Sequence, residues 1–384
     1  MHVCTSEYRP ATGWVPALPA GLDGHHTLVL VFGAGGFIDD PAPFFDLADA
    51  FPSSVHLGCS SGGEISGDWL LDDTLTVAVV RFEHARLHAA TTTVAELADS
   101  EDAGARLAAQ MPRKGLRMVF AVSDGLCVDG TALLRGLTRC LPEHVPVTGG
   151  MAGDRGRLAT TWVYGHDRHL PAPARACLVG LYGERLCFGQ GHATGWADLG
   201  PERRITRARG NVLFELDGQP ALELYKRYLG ELAMELPGSA LRFPLSVRRA
   251  EGPGPEAPLV RSVLAVDEAR RALVLSGSAP VGGMARLMRT RVDDLVASAA
   301  QASAAAAARL PAGAESLVIS VSCLGRRIVM GERTGDELDA VLDHGARACG
   351  RVGFYSFGEF SPALPGGCTE LHHQTLALTA LAEA

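Results

Sequence analysis

Val55-His56-Leu57-Gly58-Cys59-Ser60-Ser61-Gly62-Gly63-Glu64 opens on apolar residues and ends in two glycines and an acid. Such a run reads as a buried strand that stops at a Gly-acid turn. Upstream, Leu28-Val29-Leu30-Val31-Phe32-Gly33 is a second strand-sized run. Between the two, Asp40 can cap a helix, Pro41 suits its first turn, and Phe44, Phe45 and Ala48 share one face. Downstream, Leu75-Thr76-Val77-Ala78-Val79-Val80 reads as a further strand. These runs do not alternate apolar with polar, as expected of strands covered on both faces in α/β layers.

The same order recurs twice. Met118–Ser123, a helix, Val147-Thr148-Gly149-Gly150-Met151-Ala152-Gly153-Asp154 and Thr160–Tyr164 form the second unit. Leu317–Ser322, a helix, Val352-Gly353-Phe354-Tyr355-Ser356-Phe357-Gly358-Glu359 and Thr375–Thr379 form the third. The second helix has Asp129 as its cap and Leu133, Leu137 and Leu141 at helical spacing. The third has Thr334 and Glu337 in a capping-box pattern, with Gly350 as its stop. Between the second and third units, residues 174–216 read as several strands, including Cys177–Tyr182. A short helix is expected from Gln219 to Leu229, ended by Gly230, and Glu251–Glu256 reads as a loop. A long helix is expected from Val292 to Arg309. The expected fold is α/β: two domains, 25–217 and 218–384, with mixed β-sheets flanked by helices, built on a strand-helix-strand-strand unit repeated about three times.

Of the 384 residues, 47% are hydrophobic and 20% charged, a globular composition. The formal net charge of −8 argues against nucleic acid or an anionic membrane as partner. The one basic stretch, Arg203–Arg209, reads as a strand with alternate side chains in water. No signal-peptide pattern opens the chain, and the apolar runs are too short to span a bilayer. Nine scattered cysteines without a C-x-x-C pair favour neither disulfides nor zinc, and the expected location is the cytoplasm.

Gly58-Cys59-Ser60-Ser61-Gly62 fits the letters of a hydrolase nucleophile elbow, which makes a hydrolase using Ser60 or Cys59 one alternative reading. The helix that must follow the serine is missing from the pattern. Gly33-Ala34-Gly35-Gly36 could cradle a phosphate but lacks the dinucleotide and P-loop spacings. Ligands of α/β layers bind outside the carboxyl ends of strands. Cys59, Ser60, Ser61, Glu64, Ser123, Thr148, Gly149, Gly150, Cys323, Arg326, Tyr355 and Glu359 lie at or near such ends. They offer donors, acids and a guanidinium able to clamp a carboxylate. Glu64 and Glu359 could equally cap loops. His372 or His373 could each serve as an axial haem ligand, since one imidazole suffices.

Several of these segments resemble the FIST family. They are Gly58–Glu64, Gly149–Asp154, Gly210-Asn211-Val212 with Leu216–Tyr225, Ser322–Arg326, Gly353–Glu359 and Leu371–Thr375, in family order across residues 25 to 382. The resemblance implies a non-catalytic sensory input module that binds a small ligand such as an amino acid. It implies a signal passed to a separate partner, such as a histidine kinase. One branch implies a haem-containing nitric-oxide sensor; here His373 stands where that pattern carries Asn.

Overall fold

The computed structural model describes residues 1–167, 170–249, 258–344, 350–362 and 366–384. Three six-stranded mixed sheets and one eight-stranded sheet carry the helices on their outer sides, an α/β architecture. In the first sheet Thr27–Ala34 runs parallel to Val55–Ser61 and antiparallel to Leu75–Arg81. In the second, Leu116–Ser123 runs parallel to Val147–Met151 and antiparallel to Arg175–Tyr182. In the third, Ser316–Cys323 runs parallel to Gly350–Ser356 and antiparallel to Leu376–Glu383. A parallel pair needs a crossover, and Ala42–Ala50, Gly130–Cys140 and Thr334–His344 lie on the three crossovers.

The inner faces of the three sheets meet in one core that includes Leu30, Phe32, Leu57, Phe120, Ile319 and Phe354. Phe32 stacks on Phe354 at 4.7 Å between ring centroids. Helices pack on the outer faces: Phe44 and Leu47 on the first sheet, Leu133 and Leu137 on the second, Ala299 and Ala302 on the third. Apolar neighbours on both sides explain why these strands do not alternate.

Past each parallel strand the chain leaves its sheet. Glu64–Ser66 departs from the first sheet and pairs with Gly350–Ser356 in the third. Gly358–Pro362 departs from the third and pairs with Val147–Met151 in the second. Val163–Gly165 departs from the second and pairs with Val55–Ser61 in the first. The segment Thr160–Tyr164 therefore does not close its own unit as expected; Arg175–Tyr182 takes that place. Backbone hydrogen bonds tie the crossing. Gly62 N–H donates to Tyr355 O at 2.7 Å, Gly153 N–H to Ser60 O at 2.9 Å, and Phe357 N–H to Met151 O at 3.2 Å. A Cβ on Gly153 would stand 2.6 Å from Tyr355 O and 2.8 Å from Gly62 N, so only glycine lets the chains pass this closely.

The third sheet also holds Trp69–Leu71 and Leu186–Ala193, so strands from before residue 217 flank a centre formed after it. The eight-stranded sheet begins at Leu259–Arg261 and ends at Val263–Asp267, with Ala197–Arg209 near its middle. Its two edge strands are separated in sequence by Ser262 alone, so the sheet curls back toward itself. The helix Ala221–Leu229 inserts Leu222, Leu224 and Tyr225 into the hollow, against Leu213, Leu273 and Leu287. The basic stretch is part of this sheet, with Arg203 paired to Asp217 and Arg207 to Glu215.

The expected cap at Asp129 forms: its Oδ1 accepts from Ala132 N–H at 3.0 Å. The expected capping box does not. Thr334 donates its hydroxyl to Gly331 O at 2.6 Å, and Glu337 points away from the helix start to a buried arginine. Gly350 opens a strand instead of ending a helix. The Glu251–Glu256 loop lies outside the described residues. Among the described residues no helix is long and apolar enough to cross a membrane.

Candidate ligand site

Most of the strand-end residues singled out by sequence are spent on the crossing itself. Ser60 Oγ accepts from Trp162 N–H at 3.0 Å, and Ser61 Oγ accepts from Gly63 N–H at 2.8 Å and donates to Gly63 O. Glu64 accepts from the N–H and hydroxyl of Thr74 at 3.2 and 3.0 Å. Glu359 accepts from Ser356 Oγ at 2.5 Å and from Thr375 Oγ1 at 2.7 Å. Both acids are buried, and burial pushes each up to about 8. Their role is to cap the crossing loops. Gly149 and Gly150 sit within the second sheet, opposite Ala121 and Glu359. The hydroxyls of Ser123 and Thr148 are buried with no hydrogen-bond partner among the described residues.

Arg326, expected as a carboxylate clamp for a ligand, already holds a carboxylate. Its Nε and Nη2 donate to Glu337 Oε2 at 2.8 and 2.5 Å, and Nη1 donates to Thr194 O at 2.6 Å. Ser322 Oγ and Tyr355 Oη donate to the other oxygen of Glu337. Every member is buried, so this is an internal ion-pair network without room for a ligand.

The nucleophile reading also loses its geometry. Ser60 is fully buried, and the strand Glu64–Ser66, not a helix, follows it. Cys59 lies in the central core, where burial drives its thiol far up. Burial raises the Cys323 thiol strongly as well, with Glu359 adding to the shift, so both thiols stay protonated at neutral pH. The Gly33–Gly36 turn faces a small crevice of about 330 Å³ shared with Asp39, Asp40, Asp73 and Asp154. Arg155 is committed there to Asp72 and Asp73, and four aspartates outnumber Arg155 and Arg157 along the lining, which disfavours a phosphate.

Beside the crossing lies a larger cleft of about 730 Å³. One side is the curled sheet, with Asn211, Ser262 and Ser276. Another is the start of the helix Gly130–Cys140. The floor carries Cys323, Ser356 and His373. Of the ligand residues expected from sequence, Cys323 and His373 line this cleft; the others do not. Sequence reasoning missed Arg261, whose side chain packs behind the floor. Arg261 is buried, and its Nη1 donates to Leu371 O at 2.9 Å and to His373 Nδ1 at 3.3 Å. Its Nε has no partner among the described residues. Room for it comes from Gly277, where a Cβ would stand 2.6 Å from that Nε. The sequence signal was a lone cation inside the apolar run Leu259-Val260-Arg261-Ser262-Val263-Leu264.

Arginine only donates, so His373 Nδ1 is the acceptor and Nε2 carries the proton of the neutral ring. Burial and the neighbouring guanidinium both hold His373 well below the usual histidine range, so the ring is neutral at pH 7. An axial haem ligand must offer a bare nitrogen to the cavity. His373 turns its bare nitrogen to Arg261. His372 does not line the cleft, and its Nε2 donates to Ser361 O at 2.9 Å. The two histidines therefore do not fit a haem as they stand.

Residues 27–219 match the FIST N domain, and residues 221–362 match the FIST C domain. The uncharacterized protein MJ1623 of Methanocaldococcus jannaschii is 26% identical over 201 residues, which are 49% of this chain and 38% of that protein. The match thus spans well under half of that relative's length. Among solved structures, cyanuric acid hydrolase from A. caulinodans aligns with 78% of this chain and all of its own, at 12% identity and a TM-score of 0.19.

Proposed function

The chain belongs to the FIST family, and from that premise we propose that it is a small-ligand sensor whose ligand sits in the cleft under the curled sheet. FIST domains are small-ligand sensory domains. The observation that carries the site assignment is the cleft floor. There a neutral His373 lines the cleft, accepting at Nδ1 from a buried arginine and so keeping its Nε2 proton to give. Ligand pockets are concave, mostly apolar and furnished with a few such groups.

The cleft is walled by two bodies, the eight-stranded sheet and the ends of the second and third sheets. A ligand that touches both favours the arrangement in which both contacts are made. The output passes to a separate signalling partner, a histidine kinase or another protein that reads this arrangement. The protein works in the cytoplasm; the eight described cysteines are free thiols, which supports a reducing compartment.

The test is a metabolite panel read by thermal shift, since a native-state ligand raises stability. At least one compound is expected to give a saturable shift that disappears in Thr131→Trp, which fills the cleft from its helical wall. No shift across a broad panel, or a shift untouched by Thr131→Trp, rules the site out.

A further inference from the structure

The cleft has opposite chemistry at its two ends. Around the mouth stand Leu97, Leu158, Leu264 and Ile328, four aliphatic side chains from four separate segments, each more than half exposed. Below them the walls are Val128, Met151, Leu241 and Leu371. Apolar groups clustered at one opening of a protein surface mark a place where something apolar is covered. Away from the mouth stand three donors, one on the floor, one on the curled-sheet side and one behind the floor. His373 offers its Nε2–H. Ser276 accepts from Ser262 N–H at 3.0 Å and keeps its own hydroxyl proton to give. Arg261 stands behind His373, its Nε without a hydrogen-bond partner among the described residues and with Glu370 as the carboxylate that acts on it.

A buried guanidinium whose Nε is left without a partner is an unfavourable state that an anion bound nearby relieves. Arg135 also lines the cleft, but it is exposed and paired to Glu101, so the one buried cation and the two single-proton donors suit one negative charge better than two. The ammonium of a zwitterion has no place, because the cleft's one described carboxylate, Asp129, is already the helix cap. We propose that the ligand is an amphipathic monoanion, an aliphatic carboxylate. Its head binds His373 and Ser276 in the field of Arg261, and its chain runs up the walls to the leucine and isoleucine mouth. This rests on reading the cleft as the ligand site.

Calorimetric titration of the full chain tests it, with decanoate, butyrate and decanol as probes below their aggregation limits. Decanoate is expected to bind saturably, at least tenfold more tightly than either butyrate or decanol. Leu264→Asp with Ile328→Asp, at exposed positions, is expected to weaken decanoate at least tenfold. Arg261→Met is expected to make decanoate and decanol bind alike; Ser276→Ala, a milder change, should weaken decanoate several-fold. Decanoate binding no tighter than butyrate or decanol overturns the proposal, as does binding unchanged by the mouth substitutions. A short polar ligand that binds the wild type and is lost in Thr131→Trp also overturns it, while leaving the cleft as the site. Binding of every ligand unaltered by Thr131→Trp removes the site itself.

Discussion

Arg326, in the helix Leu324–Met330 that follows a strand, and Arg261, at the end of a strand, are both buried arginines, yet they are treated differently. Arg326 is saturated, its fork closed on Glu337 and its remaining donors on two backbone carbonyls. Arg261 has one nitrogen occupied and an Nε without a partner, beside an open cleft. A protein interior tolerates a charge when its partners are built in. Where they are left out next to a cavity, the missing partner is the natural occupant of that cavity. The contrast separates a residue that holds the fold from one that waits for a ligand.

The largest effect should come from breaking the saturated side. Glu337→Ala leaves Arg326 as an uncompensated buried charge and is expected to cost about 3–5 kcal/mol in chemical denaturation. Arg261→Met removes a buried charge whose Nε has no partner among the described residues, so its stability should change by no more than about 1 kcal/mol. Equal losses in the two variants would erase the distinction.

A pH series probes the same interior. Glu64 and Glu359 titrate near 8 in the folded chain against an ordinary value of 4.5. Between those limits the folded state holds two protons that the unfolded state has lost. Stability is therefore highest below about pH 4.5 with respect to these groups and falls as pH rises to about 8. Glu64→Gln with Glu359→Gln is expected to flatten that fall in unfolding midpoints measured from pH 5 to 8.5. An unchanged slope would place the proton uptake elsewhere.

Gly153→Ala, which puts a methyl against Tyr355 O, should cost about 1–3 kcal/mol by overpacking. At the cleft mouth, Leu264→Asp and Ile328→Asp are exposed changes expected to stay within about 0.5 kcal/mol in the same denaturation assay. A large loss there would mean that the mouth is part of the core. Haem added to the purified protein is expected to give no ligated-haem band, because His373 keeps its bare nitrogen on Arg261.

The strands and crossover helices were legible because uninterrupted apolar runs and caps such as Asp129 are local signals. The strand-helix-strand order of Leu28–Gly33 with Val55–Ser61 and of Leu317–Ser322 with Val352–Ser356 followed from them. The exchange of strands between sheets was not legible. Nothing in Glu64-Ile65-Ser66 names Phe354, Gly353 and Val352 as its partners, since pairing between distant segments leaves no periodicity. The same gap misled the site reading. Glycines beside acids can admit a ligand or another stretch of backbone, and Gly62 and Gly153 admit backbone. Cys323 was found because it ends a strand at the cleft, and His373 because a lone imidazole could ligate haem. Arg261 was passed over because a strand in the curled sheet brings it there from another part of the chain.

The interlocked sheets make the two family segments inseparable as objects. Cutting the chain near residue 217 would strip the third sheet of Glu64–Ser66 on one side and Leu186–Ala193 on the other. Each fragment would then carry unpaired strand edges, the usual template for aggregation. During synthesis the early strands must stay uncommitted until Gly350–Ser356 and Leu376–Glu383 emerge. Folding of such a chain waits on pairings between distant segments, and topologies rich in such pairings fold slowly.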